Sequence, residues 1–198
     1  MRFIESILYQ DGSYHNLGLH QLRLNKTFEQ FLPDLPPHDL INILPKLNLE
    51  GKYKVRLVYD ADEEDAHFDL EYAAYHPKKI ESMQVMESDA FDYAFKYEDR
   101  THINRLLQQS TADDIIISIN GAITDGSYFN LVFWNGEEWL TPSTPLLQGV
   151  RRQQLLDAGI IREAPINVEQ LKDFEKVSII NAMLGLEELV VPASKITF

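Results

Sequence analysis

The chain has 198 residues, enough for one domain or two small ones with a sizeable core, and its 44% hydrophobic and 25% charged content is that of a soluble globular protein. Against 18 basic residues stand 31 acidic ones, a net charge of −13 that argues against nucleic acid or an anionic membrane as partner. Cysteine is absent, which excludes disulfides, thiolate metal sites and a cysteine nucleophile and suits a reducing cytoplasm.

The amino-terminal apolar run contains Glu5 and lacks the long apolar core of a signal peptide; no run approaches the ~20 apolar residues of a spanning helix. Phe3 to Tyr9, followed by Asp11-Gly12, reads as one strand of a hairpin. Leu19, Leu22, Phe28, Phe31 and Leu32 recur at near-helical spacing, so an amphipathic helix is expected over about 17–32, closed by Pro33. It carries His20-Gln21-Leu22-Arg23-Leu24, where an arginine taken alone is a solvated surface charge. A shorter helix is expected from Asp39 to Leu49, entered through Pro36-Pro37, with Pro45 as a kink or boundary. Tyr53 to Tyr59 alternates basic and apolar positions and reads as a strand. Within it, Arg56 has the planar fork that suits a substrate carboxylate, or else it is a solvent-side strand residue. The acidic run Asp60 to Asp65 reads as a solvated turn, since nothing fixes a metal-binding geometry. A strand near 67–74 precedes His76-Pro77-Lys78-Lys79, a candidate domain joint.

From Ile80 to Glu87 another strand is expected, then an aromatic stretch and a helix carrying Ile103, Leu106 and Leu107, with Asp99 as its N-cap. Lys96 lies just before that helix among Tyr93, Phe95 and Tyr97. Such neighbours desolvate an amine and favour its neutral form, as a Schiff-base lysine requires; an exposed lysine is the ordinary alternative. Two apolar runs, Ile115 to Ile119 and Tyr128 to Trp134, meet Asn120-Gly121 and Asn135-Gly136, strong hairpin signals that predict three neighbouring antiparallel strands. A loop punctuated by Pro142, Pro145 and Gly149 leads into a helix from about Val150 to Ala158, ended by Gly159, whose first backbone N–H groups face that loop and favour an anion. Beyond it, 160–164 reads as a strand, 168–174 as a helix and 176–184 as a strand, while 190–198 has no assignable role.

This order of parts resembles the fold type IV pyridoxal-phosphate enzymes, the class IV aminotransferases with their 4-amino-4-deoxychorismate lyase relatives, from Phe3 to about Ala182. The motifs are Thr124-Asp125-Gly126-Ser127 with Asn130, Leu140-Thr141-Pro142, and Pro145-Leu146-Leu147 with Gly149 and Arg152, together with Lys96 upstream. The resemblance implies an α+β fold of two small domains, residues 1–78 and 79–198, built of mixed, antiparallel-rich sheets with helices as in D-amino-acid aminotransferase. It also implies a homodimer with its site near the subunit interface. The implied cofactor is pyridoxal 5′-phosphate, held by Lys96, which would also shuttle the proton at the substrate's α-carbon. Asp125, 29 residues after Lys96, would pair with the pyridine nitrogen. Arg23 would reach the phosphate, joined by Val150 and Arg151 at the helix start and by Asn181 or Ser178, for which ordinary strand-end hydrogen bonding is the alternative. Arg56 would face the substrate. Three departures stand out: the family's first strand is missing, Arg151 occupies a threonine position, and Thr101-His102 lies where a tyrosine follows the lysine by five, leaving the ring-hydroxyl partner open.

The expected function is therefore a pyridoxal-phosphate enzyme acting on a small amino-acid-like substrate. Lyase action on 4-amino-4-deoxychorismate, releasing pyruvate, is favoured over amino-group exchange of the D-amino-acid or branched-chain type. An aminotransferase needs a carboxylate clamp serving two acids, and only Arg56 and Arg151 offer one. The alternatives are a catalytically silent cofactor-binding protein and an acidic interaction domain using the fold alone.

Overall fold

Strand β1 (Arg2–Gln10) turns Phe3, Glu5 and Ile7 inward by its two-residue period. The computed structural model describes residues 1–35, 38–60 and 66–198, so the Pro36-Pro37 helix entry and the acidic run beyond Asp60 lie outside the described residues. β1 pairs antiparallel with β3 (Lys52–Asp60), from Arg2↔Asp60 to Gln10↔Lys52. With β2 (Ser13–Tyr14) and β4 (Phe68–Ala74) they form a sheet of order β2-β1-β3-β4. Helix α1 (Leu17–Phe31) packs on it through Leu24 and Phe28, in a core shared with Phe3, Ile7, Tyr9, Val55, Leu57 and Tyr59. The second helix is a single turn, α2 (Leu40–Ile43), rather than the expected 39–49. Leu44 turns extended because it precedes Pro45, whose ring disfavours the helical region for its neighbour.

The chain forms two compact units: Met1–His76 with Phe95–Asp99, and Pro77–Ala94 with Arg100–Phe198. Phe95–Asp99 falls in the first unit, not with the residues that follow it. Phe3 bridges Tyr97, Ile4 N donates to Lys96 O at 2.9 Å, and Phe3 meets the Phe95 ring edge-on and the Tyr97 ring at a tilt.

In the second unit, β5 (Met83–Glu87) runs parallel to β6 (Asp114–Ile119), which turns at Asn120-Gly121 into β7 (Ala122–Gly126). Both turn residues have positive φ, 51° and 74°, the backbone that a two-residue hairpin needs. Strands β8 (Asn130–Trp134) and β9 (Trp139–Pro142) form a second hairpin, in a different sheet. The expected three neighbouring strands are thus two hairpins in two sheets. A tight turn separates them, closed by Gly126 N donating to Phe129 O at 2.9 Å; a Cβ at Gly126 would fall 1.9 Å from the Phe129 ring. Helix α3 (Thr101–Gln109) starts after Arg100, which takes the cap position expected of Asp99. Helix α4 (Val150–Asp157) leads to β10 (Arg162–Ala164), parallel to β9. The segment Val168–Asp173 is a 3-10 helix held by a reciprocal Asn167–Gln170 capping box. β11 (Lys176–Ile180) and β12 (Val190–Pro192) complete the order β10-β9-β8-β11-β12, and β13 (Ile196–Thr197) adds to β5 in the order β13-β5-β6-β7. Among the described residues no helix is long and apolar enough to cross a membrane.

Candidate active site

In the second unit the site grows from the end of β7. Asp125 is buried, accepting from Asn130 Nδ2 at 2.7 Å and from Leu147 N at 2.9 Å. Asn130 Nδ2 also donates to Leu147 O at 3.0 Å, so one amide ties the turn to the loop that enters α4. Burial raises the Asp125 carboxyl to about 6, against the lowering effect of its hydrogen bonds and of Arg152. A carboxylate so placed gains from an adjacent cation, which returns its pKa toward the ordinary range. Thr124, next to it, donates its hydroxyl to Ile117 O at 2.8 Å, locking β7 on β6.

Gly149 caps α4 at the point where Asn130 comes closest. A Cβ there would lie 1.9 Å from Asn130 Oδ1, and that amide is already fixed by two bonds. Gly149→Ala is therefore expected to destabilise the protein by about 1–3 kcal/mol, the usual range for overpacking, and to weaken cofactor binding. Urea unfolding and a cofactor titration check both; a variant matching wild type in the two would refute the contact. The N–H groups of Val150, Arg151 and Arg152 come before the first intrahelical bond, Gln153 N to Gly149 O at 2.9 Å, and stand at the positive end of the helix.

The two arginines opening α4 differ in role. Arg152, whose importance was not recognised from sequence beyond its motif position, is fully buried. It bonds Thr141 Oγ1 (3.3 Å), Gln148 Oε1 (3.0 Å), Pro142 O (2.9 Å) and Glu163 Oε1 (2.5 Å), fastening α4 to β9 and β10. Arg151 lies over the start of the helix, with Nη1 on Gln154 Oε1 (2.7 Å) and Nη2 on Ala182 O (3.4 Å); burial lowers its pKa. Asn181, beside Ala182, accepts from Met183 N at 2.8 Å and Leu184 N at 3.0 Å, the turn-capping alternative to a ligand contact. Ser178 accepts from Glu187 N at 2.8 Å. Two buried donors of this unit meet no acceptor: Arg151 Nε and Ser127 Oγ. Arg100 Nη2 donates to Ser127 O.

In the first unit, Arg23 spreads its fork on buried Glu5, Nε to Oε1 at 2.7 Å and Nη2 to Oε2 at 2.5 Å, while His20 Nδ1 is 2.6 Å from Oε2. Burial alone would raise the Glu5 carboxyl; Arg23 and His20 override it and hold it well below the usual carboxylate range. Burial lowers His20. Lys96 is half-buried, and its charge also lowers His20. Arg56 is engaged by Glu98 Oε1 at 2.6 Å and Glu71 Oε2 at 3.6 Å. Among the described residues no cluster of three or more His, Asp or Glu side chains is placed to hold a metal ion.

Residues 2–189 match the family model described as amino-transferase class IV. A Haemophilus influenzae protein with no assigned role is 33% identical over 188 residues, 92% of this chain and 97% of that one. A crystal structure from Haemophilus somnus, provisionally named a 4-amino-4-deoxychorismate lyase, superposes with a TM-score of 0.85 at 33% identity, covering 93% of this chain and 97% of its own. A hypothetical aminotransferase from Mycobacterium tuberculosis, solved with pyridoxal phosphate bound, shares the fold, with a TM-score of 0.80 at 17% identity over 98% of this chain and 81% of that one. The chain belongs to the class IV aminotransferase family. It is accordingly a pyridoxal-phosphate-dependent enzyme of the fold expected from its motifs.

The residues present fit that cofactor. A buried carboxyl raised by desolvation suits a cationic ring nitrogen, and the start of α4 with the acceptor-less Arg151 Nε suits a phosphate.

Proposed function

We propose that this enzyme acts as a lyase of the 4-amino-4-deoxychorismate type, releasing pyruvate, and that it works as a cytoplasmic homodimer. One observation favours the lyase over an aminotransferase: of the two arginines available for a carboxylate clamp, Arg56 is committed to Glu98 and Glu71, and Arg151 lies at the start of α4, where it would serve the phosphate. An aminotransferase must bind two acids in turn. A lyase needs no second substrate, because forming the aromatic ring drives pyruvate out. The full-length likeness to the Haemophilus somnus structure agrees with this reading.

When bound, pyridoxal phosphate supplies the electron sink. Lys96 would hold the cofactor covalently through its amine and would take and return the proton at the substrate's α-carbon. Asp125, its carboxylate held in place by Asn130 and Leu147 N, would pair with the ring nitrogen and keep it protonated. The N–H groups opening α4 and Arg151 would hold the phosphate, Arg23 is proposed to add a charge-assisted bond to it, and Asn181 shapes the turn beside Ala182.

Incubation with 4-amino-4-deoxychorismate is expected to yield 4-aminobenzoate and pyruvate while the cofactor remains an aldehyde. Conversion of the cofactor to its amine form with D-alanine or another amino acid would replace this reading with an aminotransferase. Light scattering at micromolar concentration is expected to give twice the 22.9 kDa chain mass; a monomer would overturn the dimer.

A further inference from the structure

Packing alone does not explain His20. The side chain is wholly buried on the face of α1 that meets β1, yet among the described residues its Nε2 has no hydrogen-bond partner. Because Glu5 is ionised under both arms of Arg23, the His20 proton resides on Nδ1, facing Oε2, and Nε2 is left as a bare lone pair in the interior. An apolar side chain of similar volume would avoid that unsatisfied nitrogen, so stability is a poor reason for an imidazole here. The ring's hydrogen bond is to the same oxygen, Oε2, that receives Arg23 Nη2.

We infer that His20 is a positioning residue for Arg23. By fixing Oε2 it fixes the plane of the Glu5 carboxylate, and the two parallel N–H···O bonds then fix the plane of the guanidinium. Held along its Nε–Nη2 edge by Glu5, the guanidinium has its plane and direction set by that carboxylate. Spacing supports the coupling: His20 and Arg23 stand three residues apart on one helical face, so a single carboxylate from β1 reaches both. This rests on the reading above, in which Arg23 binds the cofactor phosphate.

The test compares the affinities of the cofactor-free, full-length protein for pyridoxal 5′-phosphate and for pyridoxal, whose ratio isolates the phosphate contribution. Wild type, Arg23→Ala, His20→Leu and the double variant are titrated, with His20→Ala used should leucine not fold. His20→Leu is expected to lower the ratio about tenfold, the low end of what losing a supporting partner costs at metal sites. In the double variant the ratio falls no further than in Arg23→Ala, because His20 acts only through Arg23. His20→Asn, whose amide N–H replaces Nδ1–H, retains most of the ratio. A wild-type ratio in His20→Leu, or losses that add fully in the double variant, would overturn the assignment while leaving Arg23 as anchor. An unchanged ratio in Arg23→Ala would remove the anchor role itself and this inference with it.

Discussion

Lys96→Ala, loaded with pyridoxal phosphate and reduced with borohydride, is expected to carry no cofactor-labelled peptide, whereas wild type carries the label on the peptide containing Lys96. Turnover should fall by roughly 10²–10⁴-fold for the lost proton transfer alone, and further for the lost covalent attachment. The expectation rests on a half-buried amine among aromatic neighbours, on a strand-like segment pinned by Ile4 N to Lys96 O and by the Phe3–Tyr97 bridge. Pinning the backbone confines the amine. Arg23→Ala, by contrast, should lose affinity and keep the label on Lys96. Wild-type label on Lys54, Lys78 or Lys79 would refute the assignment outright.

Glu5→Ala is expected to lower the unfolding free energy by about 3–5 kcal/mol, the usual loss when one partner of a buried ion pair is removed. Arg23 and His20 would then remain inside with neither their acceptor nor its charge. Such a loss is a large part of a typical total of ~5–15 kcal/mol, so it should be plain in urea unfolding at neutral pH. The pH dependence carries a definite sign. Glu5 has a folded pKa below its unfolded value near 4.3, so its stabilisation is complete above that pH and is lost as pH falls through and below it. Asp125 works the other way in the cofactor-free enzyme: with a folded value of about 6, its charge opposes folding above that pH, and the penalty is relieved as pH drops toward 4. Between roughly pH 6 and 4 the two carboxyls therefore separate, Asp125 gaining stability while Glu5 holds. Unfolding of Glu5→Ala and wild type that differ equally at pH 3 and pH 7 would contradict this.

Much of the fold was legible because its signals are local. Asn120-Gly121 and the near-helical spacing of Leu19, Leu22, Phe28, Phe31 and Leu32 announced a hairpin and a helix that the structure contains. The sheet to which each hairpin belongs was not legible, since β7 and β8 are both largely buried and follow one another across a tight turn at Gly126 and Phe129. Strands β12 and β13 were missed because two or three residues carry no readable period. In the candidate site, Asp125 and the opening of α4 could be read from motif residues, but their mutual support through Asn130 and Leu147 could not. Glu5 had a signal that went unused: it shares the inward parity of Phe3 and Ile7, and an acid at such a position requires a buried partner. Arg23, three positions beyond a buried histidine, supplies it.

Strand β13 sets a constraint on how this protein is made. Ile196 and Thr197 pair with Met83 and Gln84, laid down more than a hundred residues earlier, and form the outer edge of the sheet that contains β6 and β7. On the ribosome, β5 must wait with that edge bare while nearly all of the second unit is synthesised, a long-range closure of the kind that slows folding and exposes a strand to wrong partners. Tags fused directly after Phe198, or truncations before Ile196, should therefore lower soluble yield more than they lower the melting temperature of the protein that does fold.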